Sequence, residues 1–364
     1  MTKTDMRILV DIGHPAHVHF FRPAVKILQE KGHEVVITSR RKEIATDLLD
    51  GLDISHRVLS DHPGKGGLKA LFSEMIRRDR ALFRVVRELR PDIMTGIGGV
   101  NPAHVRLFTG VPAVIFYDTE NARLSNLITY PFASLVVVPE CYQAWLPPWN
   151  LRYPGYHELS YLHPNRFQPD YEKAAACGLD RERPTFLIRT VSWGASHDVS
   201  ETGWSVELLR SIANYLNEKG RVVISAEGPL PADLQTFKFQ GRVEEIHHLM
   251  AYSSLYVGES ATMASECAVL GTPAVYAALT GRGYTDEQEK VYGLVRNVFN
   301  LDWPRIKEAM DDLLAGPKEY WQEKRRRLLA DKIDVAAFVA DLVSNYPASV
   351  KRFRNGNWRL GSDG

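Results

Sequence analysis

Cysteine is scarce. The three present, Cys141, Cys177 and Cys267, lie far apart and form no CxxC pair, which argues against a disulfide framework and a structural zinc site. Net charge is nearly absent. Lys and Arg number 45 against 44 Asp and Glu, a formal +1. No global field then draws the chain to polyanions, and nucleic acid is not an expected partner. No apolar run approaches the ~18 residues of a bilayer span. The opening MTKTDMRILVDIGHP has an apolar run broken by Asp11, too short for a secretory core. There is no internal repeat, no low-complexity tract and no GxxxxGK[ST] loop, so ATP-type phosphate transfer lacks support. A reduced, cytoplasmic setting is the expectation.

What is present is an ordinary globular composition, 45% hydrophobic and 24% charged over 364 residues. That length suggests two domains of ~100–200 residues. Arg7–Asp11 reads as a buried strand, followed by a Gly-His-Pro loop, a helix from about Phe20 to Lys31 and a strand at Glu34–Ser39. Leu68 to Leu89 has the spacing of a long amphipathic helix that Pro91 ends. Further strands are expected at Asp92–Ile97, Ala113–Phe116 and Leu135–Val138. Alternating strands and helices predict a parallel sheet covered on both faces. From Trp145 to Pro169 proline and aromatic residues crowd together without a period, which marks a domain boundary. A second series follows, with strands at Thr185–Arg189, Arg221–Ala226 and Leu255–Val257. The expected domains are residues 1–165, residues 166–345 and a basic, aromatic tail at 346–364.

The most informative stretch is LYVGESATMASECAVLGTPAVYAA, Leu255 to Ala278. It reads as strand, tight turn, helix, Gly271 stop and strand. The turn at Ser260 leaves the amides of Ala261, Thr262 and Met263 at a helix start, where they can hold a phosphate. Glu266 lies four residues beyond Thr262, on the same face, and its carboxylate can accept two ribose hydroxyls. The loop with Ser192 and Gly194 follows another strand and is expected to wrap the same diphosphate. Glu287 and Gln288 are candidates for sugar hydroxyls, or belong to a solvated acidic helix start.

In the first half, DIGHPAHVHFF sets His14, His17 and His19 after a strand end, where open α/β sheets bind ligands. His17, with His14 second, is the candidate base, and Asp118 or Glu120 would orient or replace it. Gly98, Gly99, Asn101 and Asn121 are acceptor-side candidates. The basic helix over residues 65–90 carries Lys65, Lys69, Arg77, Arg78, Arg80, Arg84, Arg87 and Arg90 among Phe72, Met75, Ile76 and Phe83. It is either a solvated face or a peripheral contact with an anionic membrane on the cytoplasmic side, with Trp145 and Trp149 as anchors.

These motifs carry a family resemblance. Ser260–Pro273 resembles the donor-binding motif of GT-B glycosyltransferases and of UDP-N-acetylglucosamine 2-epimerases. Ala16-His17-Val18, Pro91-Asp92-Ile93 with Gly96–Val100, Glu120-Asn121 with Asn126, and Val191–Ser196 resemble, in order, elements of the N-acetylglucosaminyltransferases that convert lipid I to lipid II. YHELSYLHP at Tyr156–Pro164 resembles a marker of a GT-B-like family of unknown function. The Gly-rich loop of those transferases is reduced here to Gly13. The Gly-Asp-Thr turn of the epimerases is absent at Gly98-Gly99-Val100.

The resemblance implies two Rossmann-like, doubly wound parallel-sheet domains facing a cleft, with the acceptor bound N-terminally and the nucleotide-sugar C-terminally. It implies a metal-independent glycosyltransferase, using first of all a UDP-sugar, with a polysaccharide or lipid-linked acceptor and no cofactor. The alternatives are an isomerase like the 2-epimerases and a non-catalytic sugar-nucleotide binding protein.

Overall fold

The computed structural model describes residues 5–40, 45–52, 54–60, 67–120, 123–191 and 203–357. The chain forms two units. Unit 1 is residues 1–161 together with 333–364, and unit 2 is residues 162–332.

Unit 1 holds a seven-stranded parallel sheet. Its strands are β1 (Arg7–Ile12), β2 (Glu34–Arg40), β3 (His56–Ser60), β4 (Ile93–Ile97), β5 (Ala113–Phe116), β6 (Leu135–Pro139) and β7 (Asn150–Tyr153), in the order β3-β2-β1-β4-β5-β6-β7. The central strands AVIF and LVVVP are buried throughout, as a sheet covered on both faces requires. The order reverses between β1 and β4, so the crevice beyond their carboxyl ends is the expected ligand position.

Unit 2 holds β8 (Thr185–Thr190), β9 (Arg221–Ala226), β10 (Leu255–Gly258), β11 (Ala274–Ala277) and β12 (Val295–Val298). They are parallel in the order β12-β11-β10-β8-β9, and the reversal falls between β8 and β10. Gly271, in the left-handed region at φ +85°, ends the helix Ala261–Leu270 and turns the chain toward β11.

Three differences from the sequence expectations stand out. First, β3, β7 and β12 were not expected as strands. All three lie at sheet edges, where solvent on one side admits polar residues and breaks the apolar run. Second, the helix expected from about Phe20 is Pro15–Glu30. Pro15 at its first turn suits a helix start, and His14 caps it. His17 and His19 are therefore helical residues. Third, the chain divides near 161 instead of 165, and residues 333 onward return to unit 1. The helix Val335–Ser344 buries Val335, Phe338, Val339 and Leu342 in unit 1, where it packs on Pro15–Glu30. The supposed tail is partly structural too, since Phe353 is buried against Phe338 with ring centroids 4.9 Å apart.

Candidate functional sites at the two sheet reversals

In unit 1, β1 ends at Ile12, and Gly13 leads into the helix Pro15–Glu30. His14 accepts the Ala16 N–H through Nδ1 at 3.2 Å. His17 accepts the Gly13 N–H through Nδ1, also at 3.2 Å. That bond needs a lone pair on Nδ1, so the neutral ring carries its proton on Nε2. Burial first, and then the neighbouring His14, pull the His17 pKa from 6.5 down to about 3. His17 is therefore neutral across the physiological range. His14 and His17 have ring centroids 5.8 Å apart, while His19 packs on Tyr161 at 5.4 Å. Among the described residues no three His, Cys, Asp or Glu side chains converge as a metal-binding set.

Asp118 follows β5. Its Oδ2 lies 3.1 Å from Nδ1 of His157, and its Oδ1 accepts the Thr119 hydroxyl at 3.0 Å. Burial alone would raise this carboxyl. The His157 ring and the Thr119 hydroxyl outweigh it and hold the pKa at about 2. His157 lies on the 3-10 turn His157–Ser160, after β7, inside the YHELSYLHP stretch. That motif was the only sequence signal for it, because the partner is 39 positions away in the chain.

The remaining unit 1 candidates are placed as follows. Glu120 accepts the Gln143 N–H at 3.4 Å. Asn121 lies outside the described residues. Gly98 adopts φ +57°, and a Cβ on Gly99 would meet Ile115 Cδ1 at 2.9 Å, so a side chain there would displace the end of Ile115. Asn101 is buried. Its amide donates to Asp79 Oδ1 at 2.7 Å, and His104 holds the other Asp79 oxygen at 2.9 Å. The structure thus uses Asn101 to fasten the helix Gly67–Leu89, in place of the ligand contact expected of it. Arg78 on that helix also turns inward, 3.2 Å from Asp11. Arg77, Arg80, Arg84, Arg87 and Arg90 are exposed.

In unit 2, the helix Ala261–Leu270 starts at the reversal between β8 and β10. Ser260 caps it, accepting the Met263 N–H at 3.3 Å. Of the three amides expected to be open, only those of Ala261 and Thr262 escape the cap. The Tyr256 hydroxyl donates to the Ser260 carbonyl at 3.0 Å and steadies the turn. Glu266 is 5% exposed, but it does not sit in hydrocarbon: His247 Nε2 lies 2.9 Å from its Oε1. Glu259, also buried, accepts the N–H groups of Val191 at 3.1 Å and Trp204 at 2.7 Å. Burial raises its pKa despite those bonds. Glu259 and His247 were not anticipated, since each depends on a partner distant in sequence.

Two donor candidates are directed elsewhere. Gln288 is 0% exposed and donates to Ser265 Oγ at 2.7 Å, tying the helix Gly283–Lys290 to Ala261–Leu270. Glu287 pairs with Lys332 Nζ at 2.8 Å. Ser192 and Gly194 lie outside the described residues.

Comparisons with known proteins fit this architecture. A model of the family described as "Protein of unknown function (DUF354)" matches residues 6–169, which covers most of unit 1 and less than half of the chain. The uncharacterized protein MJ0665 of Methanocaldococcus jannaschii is 21% identical over 135 residues, 37% of this chain and 39% of that protein. The UDP-GlcNAc 2-epimerase of Neisseria meningitidis bound to UDP-GlcNAc superposes with a TM-score of 0.65 at 12% identity, covering 92% of this chain and 99% of the other. The Staphylococcus aureus MnaA–UDP complex gives 0.66 at 13% identity over 97% of each chain. Acinetobacter baumannii MurG gives 0.58 at 15% identity over 93% and 98%. The fold is GT-B. At these identities the likeness concerns the fold alone. Within the GT-B plan the two sites described here occupy the sheet reversal of each Rossmann-like unit.

Proposed function

We propose that the protein is a glycosyltransferase that moves a sugar from a nucleotide-sugar, a UDP-sugar first among them, to a polysaccharide or lipid-linked acceptor. One observation carries the donor half: a capped helix start at the β8/β10 reversal, with Glu266 one turn along it. As the glycosidic bond breaks, negative charge gathers on the leaving diphosphate. The amides of Ala261 and Thr262 and the dipole of their helix oppose that charge. Such a helix start contributes ~0.3–1 kcal/mol on a surface and up to ~2 when partly buried. In this reading Glu266, steadied by His247, takes the ribose hydroxyls. Ser192 and Gly194 remain candidates on the diphosphate. Unit 1 supplies the acceptor side, with His14, His17, Asp118 and Glu120 as polar groups that follow the β1 and β5 ends.

Titration calorimetry with uridine, guanosine, thymidine and cytidine diphosphates tests the donor site. At least one is expected to bind, uridine diphosphate best. Glu266→Gln should weaken that binding by roughly tenfold to a hundredfold, the worth of one charge-assisted hydrogen bond. Absence of binding across all four nucleotides sinks the reading.

A second reading, a 2-epimerase-like isomerase, is favoured by the Asp118–His157 pair near His17, which gives unit 1 several proton-handling groups. UDP-GlcNAc supplied alone separates the two. Accumulation of its 2-epimer supports the isomerase, and release of UDP that rises with an added acceptor supports transfer.

A lipid-linked acceptor fits the outer face of unit 1. Phe72 is 60% exposed on the helix Gly67–Leu89, which also carries the outward arginines, and Phe108 on the helix Val100–Thr109 is 75% exposed. Phe83 and Phe108 meet edge to face at 6.5 Å. Exposed aromatic rings among arginines suit an anionic lipid surface. Sedimentation with phosphatidylcholine vesicles, with and without phosphatidylglycerol, is expected to show binding only to the anionic ones. Arg80→Glu and Arg84→Glu should each weaken it by about 1 kcal/mol or more per charge removed. Equal binding to both vesicle types removes this part of the proposal.

A further inference from the structure

His157 holds the Asp118 carboxylate from the 3-10 turn that follows β7. A carboxylate can only accept, so the 3.1 Å contact with Asp118 fixes a proton on Nδ1 of His157. In the neutral ring Nε2 is then a lone pair, buried and with no hydrogen-bond partner among the described residues. A buried ring in that tautomer leaves no N–H unsatisfied. The ring packs on Phe20 at 4.4 Å, and Ser160 on the same 3-10 turn donates to the Phe20 carbonyl at 2.5 Å. Phe20 lies three residues beyond His17, on the same side of the helix Pro15–Glu30. Asp118, His157 and His17 are therefore neighbours, and the electrostatic influence of the first two on His17 agrees. Access differs among them. Asp118 keeps 22% of its side chain exposed and His157 only 8%, so the carboxylate is the more accessible of the pair.

We propose that His157 is a positioning residue whose Nδ1–H aims the Asp118 carboxylate at the hydroxyl of the acceptor, while His17, in the opposite tautomer, presents Nε2–H as a neutral donor. The proposal rests on the glycosyl-transfer reading. The acceptor oxygen bonds to C1 of the donor sugar, and the C1–O bond to the diphosphate breaks with its electron pair leaving on the diphosphate. The hydroxyl proton passes to Asp118. A carboxylate held this firmly ionised takes the proton late, once the forming bond has made the hydroxyl strongly acidic. Water attacking in place of the acceptor would give up its proton along the same route.

The test has two arms. Nitrogen-15 NMR of the imidazoles reads the tautomers without any reaction, with His17→Gln and His157→Asn used for assignment. His157 is expected as the Nδ1–H form and His17 as the Nε2–H form. An Nε2–H form for His157 overturns the proposal. The second arm measures UDP release from UDP-GlcNAc in water. His157→Phe fills the space against Phe20 without the N–H and is expected to slow release by roughly a hundredfold, the cost of a misplaced reacting group. Donor affinity should not change. His157→Asn restores an N–H toward Asp118 and should recover most of the rate. A Phe variant that melts like the parent and keeps its rate, or an Asn variant no faster than Phe, overturns the proposal. If the parent binds nucleotide but releases no UDP in any assay, the transfer reading fails. The tautomer result then still decides whether the Asp118–His157 pair is built as described.

Discussion

His17 shows how much of a side chain's chemistry depends on its surroundings. Its identity and its place after a strand were legible in the sequence, and they suggested a base. In the neutral ring, the Gly13 N–H on Nδ1 leaves the proton on Nε2. Its depressed pKa also has a consequence for stability. A histidine at about 3 in the folded chain and 6.5 unfolded binds fewer protons when folded. Its contribution is therefore full above 6.5 and is lost as pH falls from 6.5 toward 3. Urea unfolding at pH 7 and pH 4.5 should show the parent losing up to about 1.4 kcal/mol per pH unit from this group. His17→Gln should show a shallower decline. Asp118 acts in a lower window. Its folded pKa of about 2 lies below the ordinary 3.8, so its stabilisation is intact above 3.8 and fades only as pH falls toward 2. Equal slopes for parent and His17→Gln between pH 7 and 4.5 would contradict the burial of that ring.

At the scale of elements, the stretch from Leu255 to Ala277 formed the strand, turn, helix and strand that its residues announced. Local rules suffice there, because a Ser cap and a Gly stop act within a few residues. Ser260→Ala should lower the stability of unit 2 by about 1 kcal/mol through loss of the cap, measured by thermal or urea unfolding. Nucleotide binding should weaken as well if the turn carries the diphosphate. The edge strands were illegible for the opposite reason. Asn150–Tyr153 and Val295–Val298 have too little apolar pattern to announce pairing and owe their conformation to the neighbouring strand. Gln288 makes the same point about direction. A helix start was one of two expectations there, but whether Gln288 faces a sugar or Ser265 depends on which helix lies beside it.

At the scale of the molecule, the two series of strands were visible in the chain and the return of its end was not. VAAFVADLVS reads as an apolar helix that would suit either unit. Its docking on Pro15–Glu30, with Ile333 N–H on the Pro154 carbonyl at 3.0 Å, decides for unit 1. A chain ending after Lys332 should lose or sharply lower the calorimetric transition of unit 1, because Phe338 and its neighbours no longer cover that helix. The transition of unit 2 should persist. A truncated chain with both transitions unchanged would show that the return helix contributes nothing to unit 1.

The sequence by itself determined the fold class, the central strands and the capped turn at Ser260, because alternation, capping and glycine stops are properties of neighbouring residues. Only the tertiary structure decided that Asp118 meets His157, that Glu266 meets His247, that Gln288 and Asn101 serve the scaffold, and that residues 333 onward belong to unit 1. Each of these joins positions far apart in the chain, and such pairings are chosen by the packing of whole elements.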